Sequence, residues 1–264
     1  MRREDLLSRG VSRREIQGAQ ERGTLIRHRR GCYALPDAPD GAVAAMALRG
    51  ALTCVTALRE WGAPILGPAP AGVHIAVPRN RGVTATDPRV SSTVVVHRGP
   101  ALTGVAEADA AAVVFHASRC MRQEALLVAV DHPLHRRILD PDQIRCVSPG
   151  LTRWLTGLAD AGAESPPETL ARLALRTRGI EVRTQVRFEG IGRVDLLVGD
   201  SVVVEVDGRS YHADPVAFVA DRQRDRALQA LGFRVLRFAA SEVLSEPDCV
   251  ARAVEAQWAS AYRP

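Results

Sequence analysis

Two carboxylates in the C-terminal part of the chain stand inside apolar stretches, where a charged side chain is costly. Asp195 lies in residues 193–198 and Glu205 in residues 201–207, and both stretches predict β-strands on either side of a tight turn at Gly199-Asp200. Because strands joined by such a turn pair in antiparallel fashion, we expect the two side chains to lie side by side. Two neighbouring carboxylates repel each other, and a divalent cation relieves that repulsion. The spacing therefore indicates a metal site.

Two further residues could complete this site. Glu168 lies on a predicted preceding helix and could supply a third oxygen, and His212 follows the break at Asp207-Gly208 and could reach the same edge of the sheet. Structural alternatives remain open at this point. The two strand carboxylates could form an ion pair with Arg193 or Arg209, and His212 could be a surface-loop residue.

The elements that must position these residues are predicted from apolar spacing and turn residues. Their order is α-β-β-β-α-β with a final helix, which places the chain in the α/β class in its mixed α+β form. The run Val202-Val203-Val204 favours a central, buried strand. The predicted ranges are helix 165–178, strands 185–188, 193–198 and 201–207, helix 215–231, strand 234–238 and helix 247–258.

Four segments of this region together carry a specific signature. They read Arg193-Val194-Asp195-Leu196, Val204-Glu205-Val206-Asp207-Gly208-Arg209-Ser210-Tyr211-His212, Asp221-Arg222-Gln223-Arg224-Asp225-Arg226-Ala227-Leu228 and Gly232-Phe233-Arg234-Val235-Leu236-Arg237-Phe238. Over residues 164–258 the chain resembles the PD-(D/E)XK nuclease superfamily, and more closely a family of bacterial domains related to very-short-patch-repair endonucleases. The resemblance implies a restriction-endonuclease-like core that hydrolyses phosphodiester bonds in DNA.

The same resemblance implies roles for the acidic residues. Asp195 and Glu205 would bind Mg²⁺ or Mn²⁺, with the Val206 carbonyl as a further ligand, and the metal would activate water and stabilise the pentavalent phosphate. Glu168 would be the helix acid at the edge of the site.

The position two residues after the glutamate departs from the superfamily pattern. The usual lysine is replaced by Asp207, as it is in the related domains, and Asp207 could act as a cap or as an extra acid. His212 then becomes the candidate that positions or deprotonates the attacking water. On the following helix, Asp221 and Arg224 lie one turn apart, which favours a salt bridge; the alternative is phosphate binding by Arg222 or Arg224.

The net charge of +5 is concentrated at the N-terminus, and all 35 basic residues are arginine. Residues 1–35 hold nine Arg against four Asp and Glu, a balance of +5, whereas residues 36–160 hold 12 against 11 and residues 161–264 hold 14 against 15. A short basic segment beside near-neutral regions is typical of a phosphate-binding module. A solvated, charged terminus is the alternative.

The basic segment predicts a helix, a turn, a second helix over 13–22 and two short strands on either side of Gly31, the order of a winged helix-turn-helix. Gly10-Val11-Ser12, Arg22-Gly23-Thr24-Leu25-Ile26-Arg27 and Arg30-Gly31-Cys32-Tyr33 resemble the N-terminal domain of AbiE-type antitoxins. That family has a further helix upstream, so either the start codon is misassigned or the winged helix here is incomplete. The predicted DNA contacts are Arg13, Arg14, Gln17, Arg27, Arg29 and Arg30. A purely structural mini-domain is the alternative.

The middle region, residues 36–160, is predicted to be a connector or docking region of helices and strands. Its histidines show no metal-binding spacing, and the five cysteines of the chain are scattered, so we expect neither a zinc site nor a disulfide framework. The absence of long apolar runs and of a signal sequence favours a reduced cytoplasm and no membrane segment.

The sequence thus predicts three parts, 1–35, 36–160 and 161–264, and a metal-dependent DNA endonuclease targeted by the basic segment. The alternative is a non-catalytic, antitoxin-like DNA-binding regulator with an inactive nuclease fold. A third possibility is a protein that recruits a cognate toxin or another partner of a phage-defence system.

Overall fold

The computed structural model describes residues 1–29, 31–80, 82–83, 93–98, 110–140, 142, 149–208 and 215–261. The chain divides into two compact units, the first formed by residues 1–126 and 139–152 and the second by residues 127–138 and 153–264. No helix in the described part of the chain is both long enough and apolar enough to cross a membrane.

The first unit combines short helices with two small sheets. Its helices are α1 (Arg3–Ser8), α2 (Arg13–Glu21), α3 (Asp40–Leu48), α4 (Cys54–Glu60) and α5 (Ala110–Ala117), and its strands are β1 (Ile26–Arg29), β2 (Cys32–Ala34), β3 (Ala51–Leu52), β4 (Val73–Val77) and β5 (Val94–Arg98). Helices α6 (Gln123–His135) and α7 (Pro149–Leu158) span two of the three points at which the chain passes from one unit to the other.

The N-terminal residues form the elements that the sequence predicts. Ser12 and Glu15 make reciprocal side-chain-to-backbone hydrogen bonds of 3.2 and 2.8 Å, so a capping box begins α2. Gly23 has a φ of 70°, the left-handed conformation that ends a helix. Strands β1 and β2 pair antiparallel. Whether these elements act as a winged helix stays a prediction.

These N-terminal elements also pack against the rest of their unit. The Arg2 guanidinium donates to the Met46 carbonyl of α3 at 3.0 Å, and Tyr33 of β2 is completely buried. Removing residues 1–35 would therefore expose core surface as well as removing charge.

The second sheet of the first unit has the order β3-β4-β5, in which β3 and β4 are antiparallel and β4 and β5 are parallel. Ile75, Val77 and Val94 point to one face and pack with Ala44 and Leu48 of α3. The residues between them point to the other face, because side chains alternate along a strand.

The second unit contains the predicted α-β-β-β-α-β order, which the structure confirms. Helix α8 (Pro166–Thr177) is followed by β6 (Val182–Phe188), β7 (Gly192–Val198), β8 (Val202–Asp207), α9 (Pro215–Ala230) and β9 (Arg234–Ala239). Two helices that follow, α10 (Ala240–Ser245) and α11 (Asp248–Ala261), pack against α8.

The four strands form one sheet in the order β6-β7-β8-β9. The first two pairs are antiparallel and β8 pairs with β9 in parallel, so α9 is the crossover helix between them. Strand β8 is central, as its valine run predicts, and Val202, Val203 and Val204 are fully buried.

A buried ion pair joins α6 to α8 within the second unit. Arg172 is completely buried, and its guanidinium donates to the Asp131 carboxylate and to the Leu158 carbonyl. Asp131 also accepts hydrogen bonds of 2.8 Å from the Thr169 hydroxyl and the Asp160 amide. Every oxygen of this carboxylate therefore has a donor.

Candidate active site

The acidic residues meet where β7 and β8 separate. Backbone pairing between these strands ends at Leu196 and Val204, and the same register places Asp195 opposite Glu205 on one face of the sheet. Asp195 Oδ2 then accepts the backbone N–H of Val206 at 2.9 Å. The Asp195 carboxylate thus takes the place of a backbone carbonyl as the acceptor. Both predicted strand acids lie at this opening of the sheet, the point where the pairing of β7 with β8 ends.

Gln185 of β6 links Asp195 to Glu168. Its amide nitrogen donates to Glu168 Oε2 at 2.9 Å and lies 3.5 Å from Asp195 Oδ1. The register between β6 and β7 places Gln185 opposite Asp195, and its φ of 53° is unusual for a residue other than glycine. Its side-chain oxygen is buried with no hydrogen-bond partner among the described residues.

Glu168 is held at the start of α8. Ser165 is the N-cap, and its hydroxyl donates to Glu168 Oε1 at 2.6 Å, while the Glu164 amide donates to Oε2 at 3.1 Å. Burial raises the pKa of Glu168, its hydrogen bonds oppose that shift, and the charge of Asp195 adds to it. Glu168 is therefore an ordered, buried acid beside the strand pair.

Glu205 is the most strongly perturbed acid of the site. It is 5% exposed, and burial, followed by the charge of Asp195, raises the pKa of Glu205 to about 7. Arg224 of α9 opposes this shift by pairing with Glu205 Oε1, and it also donates to the Arg193 carbonyl. In this structure the Arg224 guanidinium thus compensates part of the negative charge at Glu205.

Asp207 lies beyond the acid pair and pairs with arginine. Its carboxylate is 3.2 Å from Arg237 Nη1 of β9, and Arg237 also pairs with Asp225 of α9 at 2.8 Å. These carboxylates raise the pKa of Arg237, with the Asp225 hydrogen bond as the largest cause. Asp207 is thus part of an arginine-centred network, and its catalytic role stays a prediction.

The structure therefore brings Glu168, Asp195, Glu205 and Val206 together and places Asp207 next to them. His212 and Arg209 lie outside the described residues. Arg193, a proposed structural partner of the acids, pairs instead with Glu164 at 2.7 Å. Arg222 is exposed on α9, and the side chain of Asp221 is not among those described.

Two contributors to the site were missed by sequence reasoning. The strand pattern predicts Gln185 only as the start of a strand. The turn that pairs Phe188 with Gly192 contains the missing signal, because counting back along both strands from this pair places Gln185 opposite Asp195. Arg224 was expected to contact either Asp221 or phosphate. Its contact with Glu205 depends on how α9 packs on the sheet, which no spacing in the sequence encodes.

The predicted DNA contacts of the first unit lie on two elements. Arg13, Arg14 and Gln17 are exposed on α2, and Arg27 is exposed on β1. Gln17 donates to Glu21 at 3.0 Å, one turn further along the helix. Arg29 ends β1, and Arg30 lies outside the described residues.

The prediction that cysteines and histidines are scattered is wrong for four residues of the first unit. Cys54, His74, His97 and Cys120 place their ligand atoms within 4.8 Å of one another. No spacing in the sequence indicates this cluster, because its residues lie on three separate elements and one turn.

Comparison with known proteins bears on the second unit. Residues 168–257 match the family model REase_MTES_1575, a restriction endonuclease-like family. A solved structure, the "Homing Endonuclease I-Bth0305I Catalytic Domain", is 24% identical in sequence; the match covers 37% of this chain and 97% of that one, with a TM-score of 0.32. No curated protein matches the chain. The family-model match thus makes residues 168–257 similar to restriction endonuclease-like domains.

Proposed function

We propose that the protein is a metal-dependent DNA endonuclease whose cation binds between Asp195 and Glu205. The observation that carries the proposal is the convergence of three acids, Asp195, Glu205 and Glu168, at one opening of the sheet in a domain that matches a restriction endonuclease-like family. These partly buried carboxylate oxygens fit Mg²⁺ or Mn²⁺, which favour oxygen ligands. A bound divalent cation would activate water and stabilise the charge that develops on the phosphate.

Each residue has a role in this proposal. Asp195 and Glu205 hold the cation with the Val206 carbonyl, and the hydrogen bond from the Val206 amide to Asp195 fixes the orientation of that carboxylate. Gln185 keeps Glu168 at the edge of the site. His212 is proposed to position or deprotonate the water, and Asp207 to act as a further acid.

DNA recognition is proposed for the arginine-rich N-terminal segment. Arg13, Arg14 and Arg27 are exposed and would contact phosphates, while Gln17 lies on the same helix. Arg29 and Arg30 are proposed to extend this surface, and Arg222 and Arg224 to contact the phosphate backbone near the acids.

Cleavage of supercoiled, linear and single-stranded DNA by the full chain, with Mg²⁺, Mn²⁺ or EDTA, tests the proposal. We expect cleavage only with metal, and its loss in Asp195→Asn. The matched control is Asp200→Asn, because Asp200 is a fully exposed carboxylate on the turn after the same strand. Equal cleavage by both variants would reject the site.

A second candidate is a DNA-binding regulator with an inactive nuclease fold. The observation that favours it is the pairing of Glu205 with Arg224, because a cation must displace or share that guanidinium. Sequence-selective DNA binding without cleavage in any metal, unchanged in Asp195→Asn, would support this candidate over the nuclease.

A further inference from the structure

The cluster of Cys54, His74, His97 and Cys120 in the first unit is not used by the nuclease proposal. Cys54 is the first residue of α4, His74 lies in β4, His97 lies in β5 and Cys120 lies in the turn after α5. Because Ala76 pairs with His97 in the parallel register, and His74 is two residues before Ala76, both imidazoles lie on the same face of the sheet. This is the face opposite the apolar cluster with α3.

The distances within the cluster approach those of a tetrahedral metal site. His74 Nδ1 is 3.0 Å from His97 Nε2, and His97 Nε2 is 3.9 Å from Cys120 Sγ. Zinc–nitrogen and zinc–sulfur bonds of about 2.0 and 2.3 Å place tetrahedral ligand atoms roughly 3.3–3.8 Å apart. All four ligand atoms lie within 4.8 Å of one another, so small side-chain rotations are sufficient to reach this geometry.

The burial of the cluster agrees with a closed site. Cys54 is completely buried, His74 and His97 are 1% and 7% exposed, and Cys120 is partly buried. Two thiols that lose their protons to a divalent cation leave a site with no net charge, which a buried location tolerates.

The backbone at Cys54 is a further sign of constraint. Its φ of 53° is in the left-handed region, which residues with a side chain rarely adopt and which is concentrated at functional sites.

We propose that Cys54, His74, His97 and Cys120 bind one structural Zn²⁺ ion. Two sulfur and two nitrogen ligands are the set that zinc prefers, and four protein ligands leave no open position for catalysis. Binding forms two zinc–sulfur and two zinc–nitrogen bonds and releases two thiol protons to solvent. The ion would tie α4, the turn after α5 and two strands together. This site is separate from the oxygen-ligand site of the second unit.

Metal analysis of the full chain, purified without chelator from zinc-supplemented cells, tests the proposal. We expect about one zinc per chain, resistant to dialysis and released by a thiol-modifying mercurial. Replacement by Co²⁺ should give the intense visible absorption of tetrahedral, thiolate-bound cobalt. The Cys120→Ser variant should lose the metal, whereas Cys120→His, which keeps a ligand, should retain it.

Two controls separate this site from the others. Cys249→Ser, which changes a partly buried cysteine of the second unit, should retain zinc, and so should Asp195→Asn. Zinc content at background in wild type, together with no tetrahedral cobalt spectrum, would overturn the proposal. Equal zinc content in Cys120→Ser and wild type would also overturn it. If a variant expresses poorly, Co²⁺ titration of the small amount of purified protein measures metal binding instead of zinc content.

Discussion

At the scale of single residues, Glu205 links the electrostatics of the site to its proposed chemistry. Its carboxylate is buried next to Asp195, and the pairing with Arg224 compensates only in part, because the pKa of Glu205 remains raised to about 7. A metal ion that binds there must compete with a proton and with a guanidinium. Both competitions can be measured.

The metal-free protein should lose stability as the pH rises. Because the folded-state pKa of Glu205 lies above the value of 4.5 for a free glutamate, its contribution to stability is complete below pH 4.5 and is lost as the pH passes through about 7. The slope is at most about 1.4 kcal/mol per pH unit. Urea unfolding of wild type and Glu205→Gln in EDTA measures it: the variant should lose the part of the slope due to Glu205 and keep the part due to the other buried acids, Asp131 and Glu168. Identical pH profiles would contradict the assignment.

Mg²⁺ or Mn²⁺ should raise the melting temperature of wild type, because the ion binds the folded site preferentially. Asp195→Asn should remove most of this gain and leave the metal-free protein at least as stable, since it deletes one of two like charges while an amide oxygen can still accept the Val206 N–H. Thermal melts with and without metal give the comparison. An equal response of Asp195→Asn and Asp200→Asn would place the metal elsewhere.

At the scale of elements, the second unit shows which helices, strands and turns can be predicted from local sequence patterns. The cap at Ser165, the turn at Gly199-Asp200 and the valine run of β8 each predict an element that the structure contains. Local signals encode such features, because caps, turns and strand periodicity depend on neighbouring residues. The register through that turn also predicted the adjacency of Asp195 and Glu205.

Other features could not be predicted because they depend on packing between distant segments. The sequence patterns do not predict the short helix α10, and for the middle region they predict helices and strands without distinguishing α5 from α6. Two sets of contacts join residues that are far apart in the chain: the pair of Arg224 with Glu205, and the cluster of Cys54, His74, His97 and Cys120. Helix packing and sheet order determine these contacts. Local patterns in a single sequence are not sufficient to predict either of them.

Among the contacts between α6 and α8, the buried Asp131–Arg172 pair should contribute most to the free energy of unfolding. Arg172→Met removes the partner of a buried carboxylate and should cost about 3–5 kcal/mol of unfolding free energy near pH 8. Burial raises the pKa of Asp131 to about 6, so part of the cost should disappear below that pH, where the carboxyl can stay protonated. Denaturant unfolding at two pH values tests this.

Arg176→Met is the matched control for that experiment. Arg176 lies one turn further along α8 and is partly exposed, and it pairs with Asp160 at 3.3 Å. We expect a cost below about 1 kcal/mol, as is typical of such pairs. Similar costs for the two variants would show that the buried pair has no special role.

At the scale of the whole molecule, the positive charge and the acids belong to different units, which suggests a division between binding and cleavage. The three sequence-defined parts remain a prediction, and the structure adds that residues 1–35 pack on their own unit. Substitutions that replace exposed arginines with uncharged residues are therefore a better test of DNA binding than deletion of residues 1–35.

Replacing Arg13, Arg14 and Arg27 together with glutamine should weaken DNA binding and flatten its salt dependence. Each lost phosphate contact reduces the slope of log affinity against log salt by about 0.9, so we expect a decrease of roughly 2–3. Binding titrations at several salt concentrations measure it. The control is Arg122→Gln, which removes a similarly exposed arginine from the same unit. An equal slope in both variants would contradict a DNA-binding role for the segment.

The position of a bound metal tests the assignment of the nuclease centre to Asp195 and Glu205. Crystals of the full chain grown with Mn²⁺ should show an anomalous scattering peak within about 2.0–2.6 Å of carboxylate oxygens from both Asp195 and Glu205. Arg224 should then have moved away from Glu205 or have turned to share it. Manganese bound only elsewhere, with the Arg224–Glu205 pair intact, would contradict the assignment of this site as the nuclease centre.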